Sequence, residues 1–598
     1  MLMRVLMRVW MSGLLLWCWG LACAALPEGG VDLLGITEFP ERESPGVYRF
    51  EPVAVADQPF TQAVRVSVLQ RVDAPWNVAL TFPVPVALND GDVLALRLHA
   101  RCEQVADETG SAAFNVHLER AGGDYAKLLS APVSVQSTWR EIVVPCEVAG
   151  EWPAGSTHVT VHGGVREQVF DLAAIELLRF PAGTRRQELP DETSYRRAPA
   201  DAPWLVAAHE RIARLRMADL SIRVQDRDGA PIPQARVHVR QLAHAFRFGS
   251  TVNNWWYLGR AGNEPRDASA VVRYRAELAR NFNTATPENA QKWRMMSYWG
   301  ADIGMEMVRQ LVDAGMRVHG HVLVWPSWKR TPESLQALAD QPDALRAACR
   351  EHVIETTRRY AGMVVDWDVV NEPFANHDIM DVCGPEVMVE WFQLAAEHDP
   401  RAQLFINDYG ILSDGNLDSG HHRHFRETIA YLLEQGAPLQ GIGMQSHFGR
   451  IVTEPEQVLR ILDRYAAFGV PLQVTEFDHA TDDQTAQADY MHDFLTACFS
   501  HPSMMGFIMW GFWDGAHWKN NAPMFTQDWE LKPSGAVWRE LVFERWWTDE
   551  THATDATGSV TTRGFKGRYE VVVWHEGRRV VREAVLNAAG LELRVTLP

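Results

Sequence analysis

Asp366-Trp367-Asp368-Val369-Val370-Asn371-Glu372-Pro373 is the stretch from which this chain is best read. An apolar run of this kind reads as a buried strand, and Asn371 and Glu372 fall at its carboxyl end. Leu472-Gln473-Val474-Thr475-Glu476-Phe477-Asp478 has the same form. Between and around them, apolar strand-like runs alternate with helix-like segments. Strand ends are predicted near Ser250, Thr286, His321, Asn371, Asp408, Gln445, Glu476 and Trp510, eight in all. Their spacing, roughly 30–50 residues, is that of βα units around a closed parallel sheet. The expected architecture is therefore multidomain, with an α/β core of the (β/α)8 TIM-barrel class over residues 245–547.

Outward from that core the patterning changes. Residues 30–185 read as short strands such as Val93–Leu98 and Phe114–Leu118, separated by turn signals such as Asn89-Asp90-Gly91. That pattern predicts an amino-terminal β-sandwich. Residues 186–244 are expected to hold a polar linker and a β-hairpin segment turning at Asp226-Arg227-Asp228-Gly229. Residues 548–598 are expected to form a small separate carboxyl-terminal β-domain. The first 24 residues carry the marks of a signal peptide: Arg4 and Arg8, a short apolar run from Leu14 to Leu21, and Ala22-Cys23-Ala24 as a cleavage site. The expected location is secreted or periplasmic, with a lipid anchor on Cys23 as a second reading. No later segment reads as a transmembrane helix.

The formal net charge of the 598-residue chain is −19. An acidic surface repels phosphate backbones and anionic lipid, which argues against nucleic-acid partners. An uncharged polymer meets no such repulsion, and the 23 tryptophans can cover apolar sugar faces or fill cores. Beyond the signal segment lie Cys102, Cys146, Cys349, Cys383 and Cys498. Export permits disulfides, and Cys102 with Cys146, both in strand-like segments of one domain, is the favoured pair.

Glu372 and Glu476 stand at predicted strand ends on opposite sides of one barrel mouth. Cleaving a glycosidic bond needs such a pair: one carboxyl protonated to release the leaving oxygen, the other ionised to attack or stabilise the anomeric carbon. Each taken alone is weak evidence, because exposed glutamates are common. No cofactor is required by this chemistry.

Further motifs sharpen the reading. Phe282 to Trp293, Gly320 to Trp325, Asp366 to Pro373, Leu404 to Tyr409, Gly441 to Phe448 and Val474 to Asp478 occur in one order. Together they resemble the family-ten glycoside hydrolases, known chiefly as retaining endo-β-1,4-xylanases, over about residues 245 to 545. The resemblance implies Glu372 as acid/base and Glu476 as nucleophile, acting on xylan or a related β-linked plant polysaccharide. It implies that Asn371 binds the 2-hydroxyl of the sugar under attack, that His447 orients the nucleophile with Asp478 behind it, and that Gln445 lines the site near Glu372. Glu288, Asn289, Lys292 and His321 would hold sugars on the non-reducing side, walled by Trp325, Trp510 and Trp518. The chain departs from the family where Pro326, Ser327 and Trp328 follow Trp325, in place of the usual His and nearby Gln, and at Ala290 and Gln291.

Other readings stay open. The same mechanism serves another β-glycan such as mixed-linkage β-glucan, and an inherited barrel can bind carbohydrate without turnover. His319-Gly320-His321 and the group His421, His422 and His424 invite a metal reading, but neither forms a complete ligand set and no metal is expected. The second group reads as a solvated face. The amino-terminal sandwich resembles a carbohydrate-binding module, with Trp76, Tyr125, Trp139 and Trp152 as candidate sugar platforms beside their alternative role as core.

Overall fold

Eight parallel strands in the middle of the chain close into a barrel. The computed structural model describes residues 26–105, 111–190, 195–262 and 264–598; the expected signal peptide, with Cys18 and Cys23, lies outside them. The barrel strands are β1 (Arg247–Val252), β2 (Thr284–Pro287), β3 (Arg317–Gly320), β4 (Asp366–Asn371), β5 (Gln403–Asp408), β6 (Gly441–Met444), β7 (Leu472–His479) and β8 (Met504–Met509). Neighbours pair in chain order and β8 returns to β1. The strand ends read from sequence are matched at Asn371 and Asp408 and fall within three residues elsewhere. Every residue of β4 is buried, its Asp366, Asp368 and Asn371 as well as its apolar ones, because barrel strands are covered on both faces.

The barrel interior is not wholly apolar. The Arg247 guanidinium at the start of β1 pairs with Asp366 and donates to Gln403 Oε1 at 2.7 Å. Asp366 Oδ1 lies 2.8 Å from His319 Nδ1, whose Nε2 is 3.0 Å from Asp368 Oδ2. Asp368 in turn meets His321 Nδ1 at 2.9 Å. This charged column runs from the foot of the barrel to its mouth, each group lying against an opposite or hydrogen-bonding partner as burial demands. Burial alone would lower the His319 pKa, but Asp368 and Asp366 outweigh it and raise the value to about 10.

The amino-terminal region is a two-sheet sandwich. One sheet centres on Gln168–Arg179 and Val93–Val105; the other runs in the order Ala79–Val84, Thr157–His162, Ala112–Arg120, Lys127–Val135. Alternation places Leu80, Phe82, Phe114, Val116 and Val159 in the shared core, while Thr81, His117, Glu119 and Thr160 face outward on the second sheet. Cys102 and Cys146 are free thiols, which corrects the expected disulfide. Cys146 is opposite Leu94, whereas Cys102 lies eight residues further along the same strand, opposite Phe170. That is far beyond the roughly 7 Å limit on Cα separation for a bridge. Burial pushes both thiols up to about 12.

The hairpin read within residues 217–244 is confined to its turn, where Gln225 bridges Pro231 and Ile232 N donates to Val224 O at 3.0 Å. The turn at Asp226 is present, with Asp226 Oδ1 accepting from Asp228 N at 2.9 Å and Ala230 N at 2.8 Å. Its two arms, however, enter different sheets. Met217–Gln225 pairs with Ser559–Phe565 and Leu591–Thr596, and Arg236–His244 pairs with Asp549–Ala553 and Gly567–His575. Leu220, Val237, Val571 and Val595 share one core. The carboxyl-terminal strands thus complete a small sandwich begun before the barrel.

The stretch read as a linker is anchored as well. Tyr195 Oη donates to Asp493 Oδ2 at 2.7 Å. A helix that sequence patterning did not predict, α1 (Pro203–Leu215), buries Leu205, Ala208 and Ile212. It lies along α2 (Gln484–Ser500), where Arg211 donates to Ser500 Oγ at 2.9 Å. Among the described residues no helix is long and apolar enough to cross a membrane.

Candidate active site

The barrel mouth is built where strand regularity breaks. Glu372, the first residue after β4, has φ +54°, in the left-handed region that non-glycine residues rarely occupy. Glu476 falls in the register shift between Val474 and Phe477 of β7, an irregularity that re-aims a side chain out of the ladder. Its backbone N–H donates to Gln445 O at 3.0 Å. Both carboxylates are buried, at 3% and 4% exposure, so each must find hydrogen-bond partners.

Those partners differ in kind. Glu372 Oε2 accepts from Trp325 Nε1 at 3.1 Å and Asn376 Nδ2 at 3.0 Å, and Oε1 from Gln445 Nε2 at 2.8 Å and Asn371 Nδ2 at 3.3 Å. Glu476 Oε1 accepts from Asn407 Nδ2 at 2.8 Å, and its Oε2 is 3.3 Å from His447 Nε2. His447 Nδ1 is 3.0 Å from Asp478 Oδ2. Asp478 also accepts from Lys519 Nζ at 2.9 Å and Trp518 Nε1 at 2.8 Å. Burial would lower the His447 pKa, but Asp478 and the contact to Glu476 raise it to about 9. Burial opposes ionisation of Asp478, yet Lys519 and His447 hold its pKa well below the carboxylate range. Glu476 therefore lies beside an imidazolium at neutral pH.

The remaining expected residues gather around the same mouth. Lys292 Nζ donates to Asn289 Oδ1 at 3.1 Å and lies 5.3 Å from the Trp325 ring centroid and 5.4 Å from that of Trp510. Glu288 Oε2 accepts from Asn253 Nδ2 at 2.9 Å. His321 meets the edge of Trp510 with centroids 5.3 Å apart, while Trp518, 43% exposed, forms an outer lip. Where the sequence departs from the family, Trp328 N donates to Asp378 Oδ2 at 2.8 Å, and the Arg330 guanidinium lies 4.0 Å from the Trp325 ring centroid.

Sequence reasoning passed over Asn407, Asn376, Asn253 and Lys519. Asn407 is the most consequential. Its single amide nitrogen serves both Glu476 and Asn371 Oδ1, the latter at 3.0 Å, and Thr475 Oγ1 fixes its other end at 2.7 Å. Its signal was visible: it closes an apolar run, one residue before Asp408, just as Asn371 does. The second histidine group is not a solvated face. His422 is fully buried against Tyr465 Oη at 3.1 Å, and His421 stacks on Phe374 with centroids 4.1 Å apart. The group begins a helix whose inner face packs onto the barrel, and this packing accounts for its burial.

On the sandwich, Trp76 and Tyr125 are 65% and 55% exposed. They flank a cleft of about 500 Å³ over the outward face of the second sheet, floored by Thr81, Glu119, Lys127 and His158. Trp139 instead packs edge-on against Phe60, and Trp152 is 9% exposed beneath Arg120.

Residues 246–538 match the family model described as glycosyl hydrolase family 10. Endo-1,4-beta-xylanase 3 of Hypocrea jecorina is 30% identical over 305 residues, 46% of this chain and 80% of that protein. The chain belongs to glycosyl hydrolase family 10. Two other relatives of the family-10 chain are longer than the match. Anti-sigma-I factor RsgI6 of Acetivibrio thermocellus is 30% identical over 383 residues, 63% of this chain and 47% of that protein. Endo-1,4-beta-xylanase 1 of Arabidopsis thaliana is 27% identical over 368 residues, 60% of this chain and 37% of that protein. The family-10 chain thus spans less than half the length of these two relatives.

Proposed function

We propose that the chain is an endo-acting, retaining β-1,4-xylanase working by double displacement. The observation that carries this reading is the pair of buried glutamates sharing one mouth in unlike surroundings. Glu476, beside the His447 imidazolium, attacks the anomeric carbon. An ester bond to Glu476 forms as the glycosidic C–O bond breaks, and Glu372 gives its proton to the departing oxygen. Water then attacks the same carbon and passes its proton to Glu372. The ester breaks and Glu476 leaves as carboxylate, so the anomeric configuration is retained. Asn371, oriented by Asn407, is placed to bind the 2-hydroxyl in both transition states. Lys292, Trp325 and Trp510 supply a donor and apolar walls that keep bulk water from the two glutamates.

The proposal is tested by proton NMR of fresh products from xylan, wild type against Glu372→Gln and Glu476→Gln. The expected result is a β-anomer first product and loss of turnover in each variant. An α-anomer first product contradicts the mechanism. Rates on mixed-linkage β-glucan against xylan decide the substrate, with xylan expected to be faster. The sandwich cleft is read as an accessory sugar site, because two exposed aromatic rings flank polar side chains that can meet hydroxyls. Trp76→Ala is expected to weaken retention on xylan in affinity electrophoresis by about tenfold. Export through the first 24 residues belongs to the same reading.

A further inference from the structure

The amino-terminal sandwich is seated on the barrel rim next to the proposed acid/base. After β5, the short helix Ile411–Asp414 meets the sandwich. Ser137 donates from both its backbone N, at 2.9 Å, and its Oγ, at 2.6 Å, to Asp414 Oδ1. Asn416 Nδ2 donates to Ser137 Oγ at 3.0 Å. Gln136 Nε2 donates to Ser413 O and, at 3.0 Å, to Thr453 Oγ1. After β6, Ile451 is 4% exposed within the sandwich's own core. The approach is close enough that a Cβ on Gly449 would lie 2.6 Å from Ser134 Oγ. Asp414 is a buried carboxylate with these hydrogen bonds on it, so the two domains are fixed in register rather than merely adjacent.

Between them lies a cavity of about 240 Å³. Its barrel wall is aromatic. Phe374, 37% exposed, comes two residues after Glu372, and Tyr409 follows the last residue of β5. His421 stacks on Phe374 at 4.1 Å and meets Tyr409 at 4.6 Å between centroids. The sandwich wall is polar: Arg101, Glu103 and Gln104. Its charges are already paired. Arg101 donates to Asp171 at 2.9 and 3.0 Å, and Arg65 bridges Asp171 at 2.8 Å and Glu103 at 2.7 Å. A wall of balanced, mutually fixed charges offers hydrogen bonds without selecting a charged ligand. An aromatic face opposite such a wall suits a ring with apolar C–H faces and hydroxyl edges. The volume is below the roughly 300–1,000 Å³ usual for ligand pockets, room for a single ring rather than a run of them.

Position supplies the role. Glu288, Asn289, Lys292 and His321 follow β2 and β3, on one side of Glu372. Phe374, Tyr409 and His421 follow β4 and β5, on the other. A chain whose non-reducing sugars lie over β2 and β3 would carry its leaving portion past Glu372 toward β4 and β5, the side on which Phe374 and Tyr409 wall the cavity. We propose that this interdomain cavity is a distal subsite for the leaving portion of an uncharged β-linked pyranose chain, with its stacking wall from the barrel and its hydrogen-bonding wall from the sandwich. The inference rests on the reading of the barrel as a β-glycan hydrolase and goes beyond it, since it makes the sandwich part of the cleft.

The test compares xylohexaose, long enough to reach the cavity, with an aryl β-xylobioside, whose leaving group stops at Glu372. In the full chain, Gln104→Trp fills the cavity from the exposed end of its strand, and Phe374→Ala removes the stacking wall. For both, the ratio of kcat/KM on xylohexaose to that on the aryl xylobioside is expected to fall by about tenfold against wild type. Wild-type turnover of both substrates with the ratio unchanged in Gln104→Trp would overturn the subsite while leaving the hydrolase reading intact. No wild-type turnover of the aryl xylobioside would instead overturn the hydrolase reading.

Discussion

Glu372 and Glu476 are equally buried, yet their neighbourhoods differ in electrical character. Glu372 accepts from the indole of Trp325 and the amides of Asn376, Gln445 and Asn371, all uncharged donors. Glu476 faces His447, which Asp478 keeps protonated, with Lys519 and Trp518 behind. On the proposed mechanism, two chemically identical groups take the parts of proton carrier and nucleophile because their surroundings differ. The contrast teaches that the proposed division of labour rests on direct neighbours, the amides on Glu372 and His447 on Glu476, with Asp478 one contact further out.

The sharpest way to break this contrast is to remove each carboxylate in turn and vary the leaving group. Glu476→Gln is expected to cost on the order of 10⁴-fold or more in kcat on every substrate. Glu372→Gln is expected to cost about 10²–10⁴-fold on xylan, but far less on a dinitrophenyl xylobioside, whose leaving group needs no proton. Equal sensitivity of the two variants to the leaving group would erase the distinction. Asn407→Ala should follow, with kcat lower by about 10²-fold, the scale for losing one preorganised donor. Kinetics with xylo-oligosaccharides would check it, and Thr475→Val, which leaves the amide but frees its far end, should cost less.

The smallest effects are in pH. His447 has its pKa raised to about 9 in the fold, above the roughly 6.5 of an exposed histidine. Its contribution to stability is therefore complete below about 6.5 and is lost as pH rises through about 9. Asp478 works in the opposite sense: its contribution is present above the ordinary carboxylate range and is lost as pH falls below it. Thermal melts should show stability declining between pH 7 and 10, and kcat/KM should show an alkaline limb near the same value. Lys519 opposes the charge on His447, so Lys519→Met should move that limb upward. A limb that stays fixed would separate it from His447.

Much of the barrel is legible in sequence because its strands, covered on both faces, read as apolar runs closed by polar residues, as at Val369-Val370-Asn371-Glu372. Polar residues at such strand ends are legible for the same reason, and Asn407 closes Leu404-Phe405-Ile406 as Asn371 closes its own run. What sequence concealed was pairing across distance. Nothing local at Met217–Gln225 tells that its partners are Ser559–Phe565 and Leu591–Thr596, and the turn at Asp226 favours a hairpin that the small sandwich core overrides. Helix α1 was hidden differently. Leu205, Ala208 and Ile212 carry a helical period, but they lie just beyond an Arg- and Pro-rich stretch that reads as linker. The seating of the first sandwich on the barrel, through Ile451 and Asp414, is likewise a matter of surfaces that no periodicity records.

One measurement bears on the sorting of the two glutamates most directly. The protein is incubated with an activated 2-deoxy-2-fluoro-xylobioside, digested, and its peptides are weighed by mass spectrometry. The expected result is a fluoroxylobiosyl ester on the peptide containing Leu472 to Asp478, at Glu476, formed in wild type and in Glu372→Gln. A label on Glu372, or turnover of the parent glycoside with no labelled peptide, would contradict it.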